Sequence, residues 1–209
     1  MLKNLECGIY AITPTYIYKN ELLEAVERTI QSKIKLIQYR FENAVSFEER
    51  YETAMKMQSI CNENSATLVI NNDHRIADLI GCGLHIGQDI TNTSFLNEFK
   101  NISFIGLSCK NKPEIQERKD ANIFSYYSFG PLFESKTKEN LTGLIDIFGV
   151  SNKMNKKKLN FAIGGINEIN LRLVKQSKFN MAAICNGIYN DLTKIEVNCQ
   201  KLLEIWNEK

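Results

Sequence analysis

Eight short apolar runs, each closed by polar or glycine residues and separated by longer stretches, constrain this chain more than any other feature. They are residues 8–13, 36–40, 67–70, 84–86, 104–107, 123–129, 159–163 and 181–185. Runs this short, spaced so regularly, read as strands, and several of the intervening segments repeat their apolar residues at helical intervals. Leu22, Leu23, Val26 and Ile30 share one side of a helix, and Leu192, Ile195, Cys199, Leu202 and Trp206 form a stripe on the last one. Ser46 followed three residues later by Glu49 has the form of a capping box. Alternating strands and helices make a parallel sheet with covering helices. Eight such units in 209 residues, with no linker and no low-complexity stretch, predict a single (β/α)8 TIM barrel spanning residues 1–209. A doubly wound open sheet is the alternative. With 44% of residues hydrophobic and 24% charged, the chain can bury one substantial core.

The ends of the runs carry the polar residues. Thr13, Gln38 and Arg40, Asn71, Gln88, Ser108, the Ser135–Lys138 loop, Gly164-Gly165 and Asn186-Gly187 all fall at strand C-termini. In a barrel these residues meet at one face, the face that carries the chemistry in barrel enzymes. The pattern therefore predicts one polar mouth above an apolar lumen.

Within that mouth, residues 128–138 stop an apolar run at Gly130-Pro131 and continue as hydroxyls alternating with lysines. Ser135 and Thr137 offer donors to phosphate oxygens, and Lys136 and Lys138 offer charge. Gly164-Gly165 after the seventh strand, with Cys185, Asn186 and Gly187 after the eighth, fall where many barrels hold a phosphate on backbone N–H groups. Arg40, Lys138 and Lys110 sit on other strand ends and suit a second anionic group; pairing of these cations with Glu42, Asp73 or Asp89 is the plain alternative. His85 lies inside an apolar strand and reads as a satisfied barrel histidine rather than a catalyst, and His74 reads as helix surface. No serine–histidine–aspartate or cysteine–histidine set can be assembled.

A net charge of +2 is too small to argue for nucleic acid or a membrane, and small anionic ligands remain open to it. Six scattered cysteines without a Cys-x-x-Cys pair argue against a zinc site and a disulfide scaffold. The first residues lack the long apolar segment of a signal peptide, so a cytoplasmic protein is expected. Oligomeric state is left open.

Taken together, the strand ends resemble the thiamine-phosphate synthase family. The resemblance rests on Tyr10-Ala11-Ile12-Thr13, Gln38-Tyr39-Arg40, Ile70-Asn71, His85-Ile86-Gly87-Gln88, Gly106-Leu107-Ser108, Gly130-Pro131-Leu132-Phe133, Ser135-Lys136-Thr137-Lys138 and Ala162-Ile163-Gly164-Gly165-Ile166, in that order. It implies a barrel transferase that joins hydroxymethylpyrimidine diphosphate to thiazole phosphate with magnesium present, releasing diphosphate. It places Gln38, Arg40, Asn71, Ser108 and Lys138 near the pyrimidine diphosphate, with Arg40, Ser108 and Lys138 as the catalytic group and Lys110 as a further substrate contact. Ser135, Thr137, Gly165 and the end of strand eight would surround the thiazole phosphate. The chain departs from the family pattern at the metal. Asn72 stands where an aspartate is usual, Ile90 at a second aspartate position, and Glu42 at a lysine position. Asn72, Asp73 and Asp89 are then the available magnesium ligands, with the metal held weakly or through the substrate. A non-catalytic phosphate-ligand-binding protein, or a thiazole tautomerase-like isomerase, are the alternatives these departures leave.

Overall fold

The computed structural model describes residues 8–42, 44–87, 90, 92–134 and 146–208. Its eight strands are β1 (Gly8–Ile12), β2 (Leu36–Tyr39), β3 (Thr67–Asn71), β4 (Gly83–Ile86), β5 (Phe104–Lys110), β6 (Phe124–Phe129), β7 (Leu159–Ile163) and β8 (Met181–Ile184). Neighbours pair in parallel in chain order, and β1 closes on β8 with Gly8 opposite Met181 and Ala11 opposite Ile184. The predicted (β/α)8 barrel is therefore what forms, and the open sheet is excluded by that last pairing.

Helices cover the sheet unevenly. α1 (Lys19–Gln31), α2 (Phe47–Glu63) and α3 (His74–Ile80) follow the first three strands. α4 (Ile147–Lys153), α5 (Leu171–Gln176), α6 (Asn186–Tyr189) and α7 (Ile195–Asn207) follow the last three. After β4 and β5 only 3-10 turns stand in for the helix, at Ser94–Glu98, Pro113–Glu117 and Ala121–Ile123. Ser46 caps α2 as its spacing predicts, accepting from the Glu49 N–H at 3.2 Å. The α7 stripe of Ile195, Cys199, Leu202 and Trp206 is buried against the barrel.

Because side chains alternate along a strand, each strand feeds two cores. One lies between sheet and helices and includes Ala11, Ile37, Ile70, Leu84, Leu107, Phe129 and Ala182. The other fills the lumen with Tyr10, Ile12, Leu36, Val69, Phe104, Tyr126, Phe161, Met181 and Ala183. Tyr126 and Phe161 stack at 4.2 Å between ring centroids, and Tyr10 meets both edge-on at 6.0 and 5.8 Å. Gly106 makes this possible: a Cβ there would stand 2.0 Å from the Tyr126 ring. The lumen is thus plugged by aromatic rings, and only its upper end is open to ligand.

His74 is half-buried rather than a surface residue. Its ring lies 5.1 Å from that of Phe95 and 4.7 Å from that of Phe99, so it joins the packing under the 3-10 turn that follows β4.

Candidate active site

Above the aromatic plug the luminal face turns polar. Continuing the alternation of each strand brings Gln38, Asn71, His85, Ser108 and Ser128 to the same side as Leu36, Val69, Gly83, Phe104 and Tyr126, two or four residues nearer the C-terminal end. These side chains line a cavity of about 750 Å³ together with Arg40, Asn72, Gly87, Lys110, Glu134, Asn167 and Asn190. Gly130, Pro131, Gly164, Gly165, Cys185, Asn186 and Gly187 complete its wall. The volume is that of a small-molecule site. A second hollow of about 430 Å³ shares Arg40, Cys185, Asn186 and Asn190 with it and extends to Pro14, Thr15 and Tyr16.

Arg40 is held by its backbone rather than by its charge. Its N–H donates to Thr13 Oγ1 at 2.9 Å, and the same hydroxyl donates back to the Arg40 carbonyl at 3.2 Å. Among the described residues neither Arg40 nor Lys110 is in an ion pair. Pairing of Arg40 with Glu42 or Asp73 is therefore not what the fold provides. Two cations without carboxylate partners at one rim favour an anion brought by a ligand.

On the opposite side, the loop after β6 is joined to the loop after β7 by backbone bonds from Leu132 N–H to the Ile163 carbonyl (3.0 Å) and from Phe133 N–H to the Gly164 carbonyl (3.1 Å). Gly164 and Gly165 have φ of 99° and 64°. A Cβ on Gly165 would meet the Glu134 carbonyl oxygen at 2.3 Å. Glycine at 165 therefore makes room first for the chain's own backbone. Asn170 Nδ2 donates to the Gly165 carbonyl at 2.9 Å and fixes the orientation of that peptide.

A run of hydrogen bonds crosses the floor of the cavity. Gln38 Nε2 donates to Tyr10 OH at 2.6 Å, Tyr10 OH lies 3.1 Å from Tyr126 OH, and Tyr126 OH lies 2.8 Å from His85 Nδ1. His85 Nε2 lies 2.9 Å from Ser108 Oγ. His85 is thus the satisfied barrel histidine that its strand predicts. Burial pushes the pKa of both phenols up, so Tyr10 and Tyr126 keep their protons. The Cys185 thiol is pushed up to about 11 by burial, with Arg40 pulling the other way, and stays protonated near neutrality.

The metal positions divide. Asn72 lines the cavity, and its Oδ1 accepts from the Gly87 N–H at 3.2 Å. Asp73 does not line it: one oxygen caps α3 by accepting from Ile76 N–H at 3.2 Å, and the other pairs with Arg50 at 3.0 Å. Both Asp73 oxygens, expected as magnesium ligands, thus serve the turn into α3 and Arg50 in this structure. Asp89 lies outside the described residues, as do Ser135, Thr137 and Lys138. Among the described residues no three His, Cys, Asp or Glu side chains converge to hold a metal. The described donors alone do not make a magnesium cage.

Sequence reasoning passed over Ser128, Glu134, Asn167, Asn190 and the two phenols. Ser128 sits two residues beyond Tyr126 in a strand rich in aromatics, a period that marks it as luminal. Its Oγ is buried and has no hydrogen-bond partner among the described residues.

The sequence pattern of the thiamine monophosphate synthase family matches residues 9–188. The chain belongs to that family. A thiamine-phosphate synthase of Syntrophomonas wolfei is 31% identical over 212 residues, covering 97% of this chain and 98% of its own length. One from Prochlorococcus marinus is 30% identical over 191 residues, covering 88% of this chain; the match spans only 52% of that longer relative. In three dimensions the chain superposes on a thiamine phosphate pyrophosphorylase of Pyrococcus furiosus with a TM-score of 0.79 at 19% identity, covering 98% and 97% of the two chains, which shows the shared fold. Gln38, Arg40, Asn71, His85 and Ser108, each at a strand end, stand together in one cavity in this chain.

Proposed function

We propose that this chain is a thiamine-phosphate synthase: a transferase that joins hydroxymethylpyrimidine diphosphate to thiazole phosphate at the barrel mouth and releases diphosphate. Family membership supports the reaction class. The observation that carries it is the meeting, in one cavity, of Arg40 and Lys110, which have no ion-pair partner among the described residues, with the Gly164-Gly165 loop. The first suits a diphosphate and the second a phosphate, so two anionic substrates can lie with their reacting ends between them.

The chemistry asks for position and charge. The bond from the pyrimidine methylene carbon to the diphosphate oxygen breaks with its electron pair leaving on oxygen. The thiazole nitrogen then forms a new bond to that carbon with its lone pair. No proton has to move, so the lack of a catalytic base is consistent with the reaction. Arg40, Lys110 and Lys138 would neutralise the departing oxygen, and Gln38, Asn71 and Ser108 would orient the pyrimidine diphosphate by hydrogen bonds. Ser135, Thr137, Gly165 and the Cys185–Asn186 turn would hold the thiazole phosphate.

Magnesium enters this reading through the substrate. With Asp73 committed elsewhere and an amide at Asn72, the ion would be held mainly by diphosphate oxygens, with Asn72 and Asp89 as the nearest contributors from the chain. No step above depends on it. The partners are small phosphorylated molecules. No described helix is long and apolar enough to cross a membrane, and we place the enzyme in the cytoplasm, where such substrates are made.

The test is incubation of the purified chain with both precursors and magnesium. Thiamine phosphate and diphosphate should form in equal amounts; tight binding of either precursor without product would support a binding protein.

A further inference from the structure

We propose that the hydrogen-bond run beneath the cavity fixes the proton of His85 on Nε2 and thereby sets the Ser108 hydroxyl as a donor toward an anionic ligand oxygen, with Tyr126 and His85 as positioning residues. The direction follows from one end. Gln38 presents Nε2 to Tyr10, and an amide nitrogen has only hydrogens to give, so Tyr10 oxygen accepts. The Tyr10 hydrogen then goes to its other partner, Tyr126 oxygen, at 3.1 Å. The Tyr126 hydrogen goes to His85 Nδ1 at 2.8 Å, which must supply a lone pair. A neutral imidazole with Nδ1 bare carries its proton on Nε2 and donates it to Ser108 Oγ at 2.9 Å.

Ser108 then accepts from the histidine and keeps its own hydrogen for the cavity it lines. The opposite sense would have Ser108 donate to Nε2 and turn lone pairs toward a negative ligand, which repels it. Burial reinforces the arrangement. Tyr10 and Tyr126 are almost wholly enclosed and lie among aromatic rings, where a bond left unmade is expensive and one consistent direction is favoured. The role in ligand binding rests on the synthase reading; the tautomer does not.

Long-range proton–nitrogen spectra of the ligand-free protein read the tautomer, with His74→Gln removing the signals of the chain's other histidine. The wild type should show Nε2 protonated and Nδ1 bare. Tyr126→Phe, conservative in a folded core, removes the donor to Nδ1 and should lose that tautomer, and Tyr10→Phe, which cuts the run between Gln38 and Tyr126, should give a mixture of the two tautomers. Binding of inorganic diphosphate, measured by calorimetry, should weaken about tenfold in Tyr126→Phe, the scale of one misdirected hydrogen bond. In a Ser108→Ala background the same substitution should cause no further loss. A wild-type ring protonated on Nδ1, an unchanged tautomer in Tyr126→Phe, or a full Tyr126→Phe loss persisting without the Ser108 hydroxyl would each overturn the proposal. Failure of the synthase reading would show separately, as no product in the coupling reaction.

Discussion

A buried hydroxyl with no partner is a residue-scale debt of the folded state, because its hydrogen bonds to water are lost and nothing replaces them. Ser128 Oγ is in that position beside the cavity. Ser128→Ala should therefore raise the unfolding free energy of the ligand-free protein by about 1 kcal/mol. Denaturant melts check this, and a loss of stability would show that the hydroxyl is bonded after all. Asn72 makes the opposite kind of trade. Its φ of 62° is one that asparagine and aspartate tolerate better than most residues, so Asn72→Asp should leave the fold intact. The added charge should lower the magnesium concentration needed for half-maximal rate by about tenfold, because carboxylates bind this ion better than amides. An unchanged magnesium profile would show that residue 72 is not near the metal. Arg40, Gln38, Asn71 and Ser108 were legible from position alone, since each closes an apolar run. Tyr10 and Tyr126 were not, because a tyrosine in a strand reads first as core, and only the closed barrel brings the two phenols within 3.1 Å.

At the scale of elements, the loops after β6 and β7 behave as one unit. Two backbone hydrogen bonds join them, and Gly165 fits against the Phe133 and Glu134 carbonyls. Gly165→Val adds branched bulk at a left-handed φ of 64° and drives its Cβ toward an oxygen at 2.3 Å. It should destabilise the protein by about 2 kcal/mol, measured by thermal or chemical unfolding, in addition to weakening phosphate binding. A variant with unchanged stability and lost phosphate affinity would return Gly165 to a purely ligand-facing role. The Gly-Gly pair announced a tight turn in the sequence; its closest neighbour, thirty residues earlier in the chain, could not be read without the fold. Strands were the easiest elements to read, because the apolar runs and the pairing agree within a residue or two except in β5, which runs on to Lys110. The helices after β4 and β5 were overestimated. Counting eight repeats implied eight helices, but among the described residues the apolar pair Phe95-Leu96 and the lone Ile115 support only 3-10 turns.

For the whole molecule, closure is what converts scattered residues into a site. Pairing of β1 with β8 brings Arg40 and Cys185 to a shared wall, although 145 positions separate them in sequence. The polar mouth over an apolar lumen was readable from the eight run endings. Its charge balance was not, since only the fold shows that Arg50 takes Asp73 and leaves Arg40 and Lys110 unpaired among the described residues. If those cations and the Gly164-Gly165 loop serve one transfer reaction, the most direct test is the initial rate of thiamine phosphate formation from the two precursors, across a magnesium series, for the wild type and Arg40→Ala. Product should form from the wild type at a rate that rises with magnesium, with a loss of about 100-fold in Arg40→Ala and an unchanged melting temperature. No product from the wild type at any magnesium concentration, while both precursors bind, would contradict it.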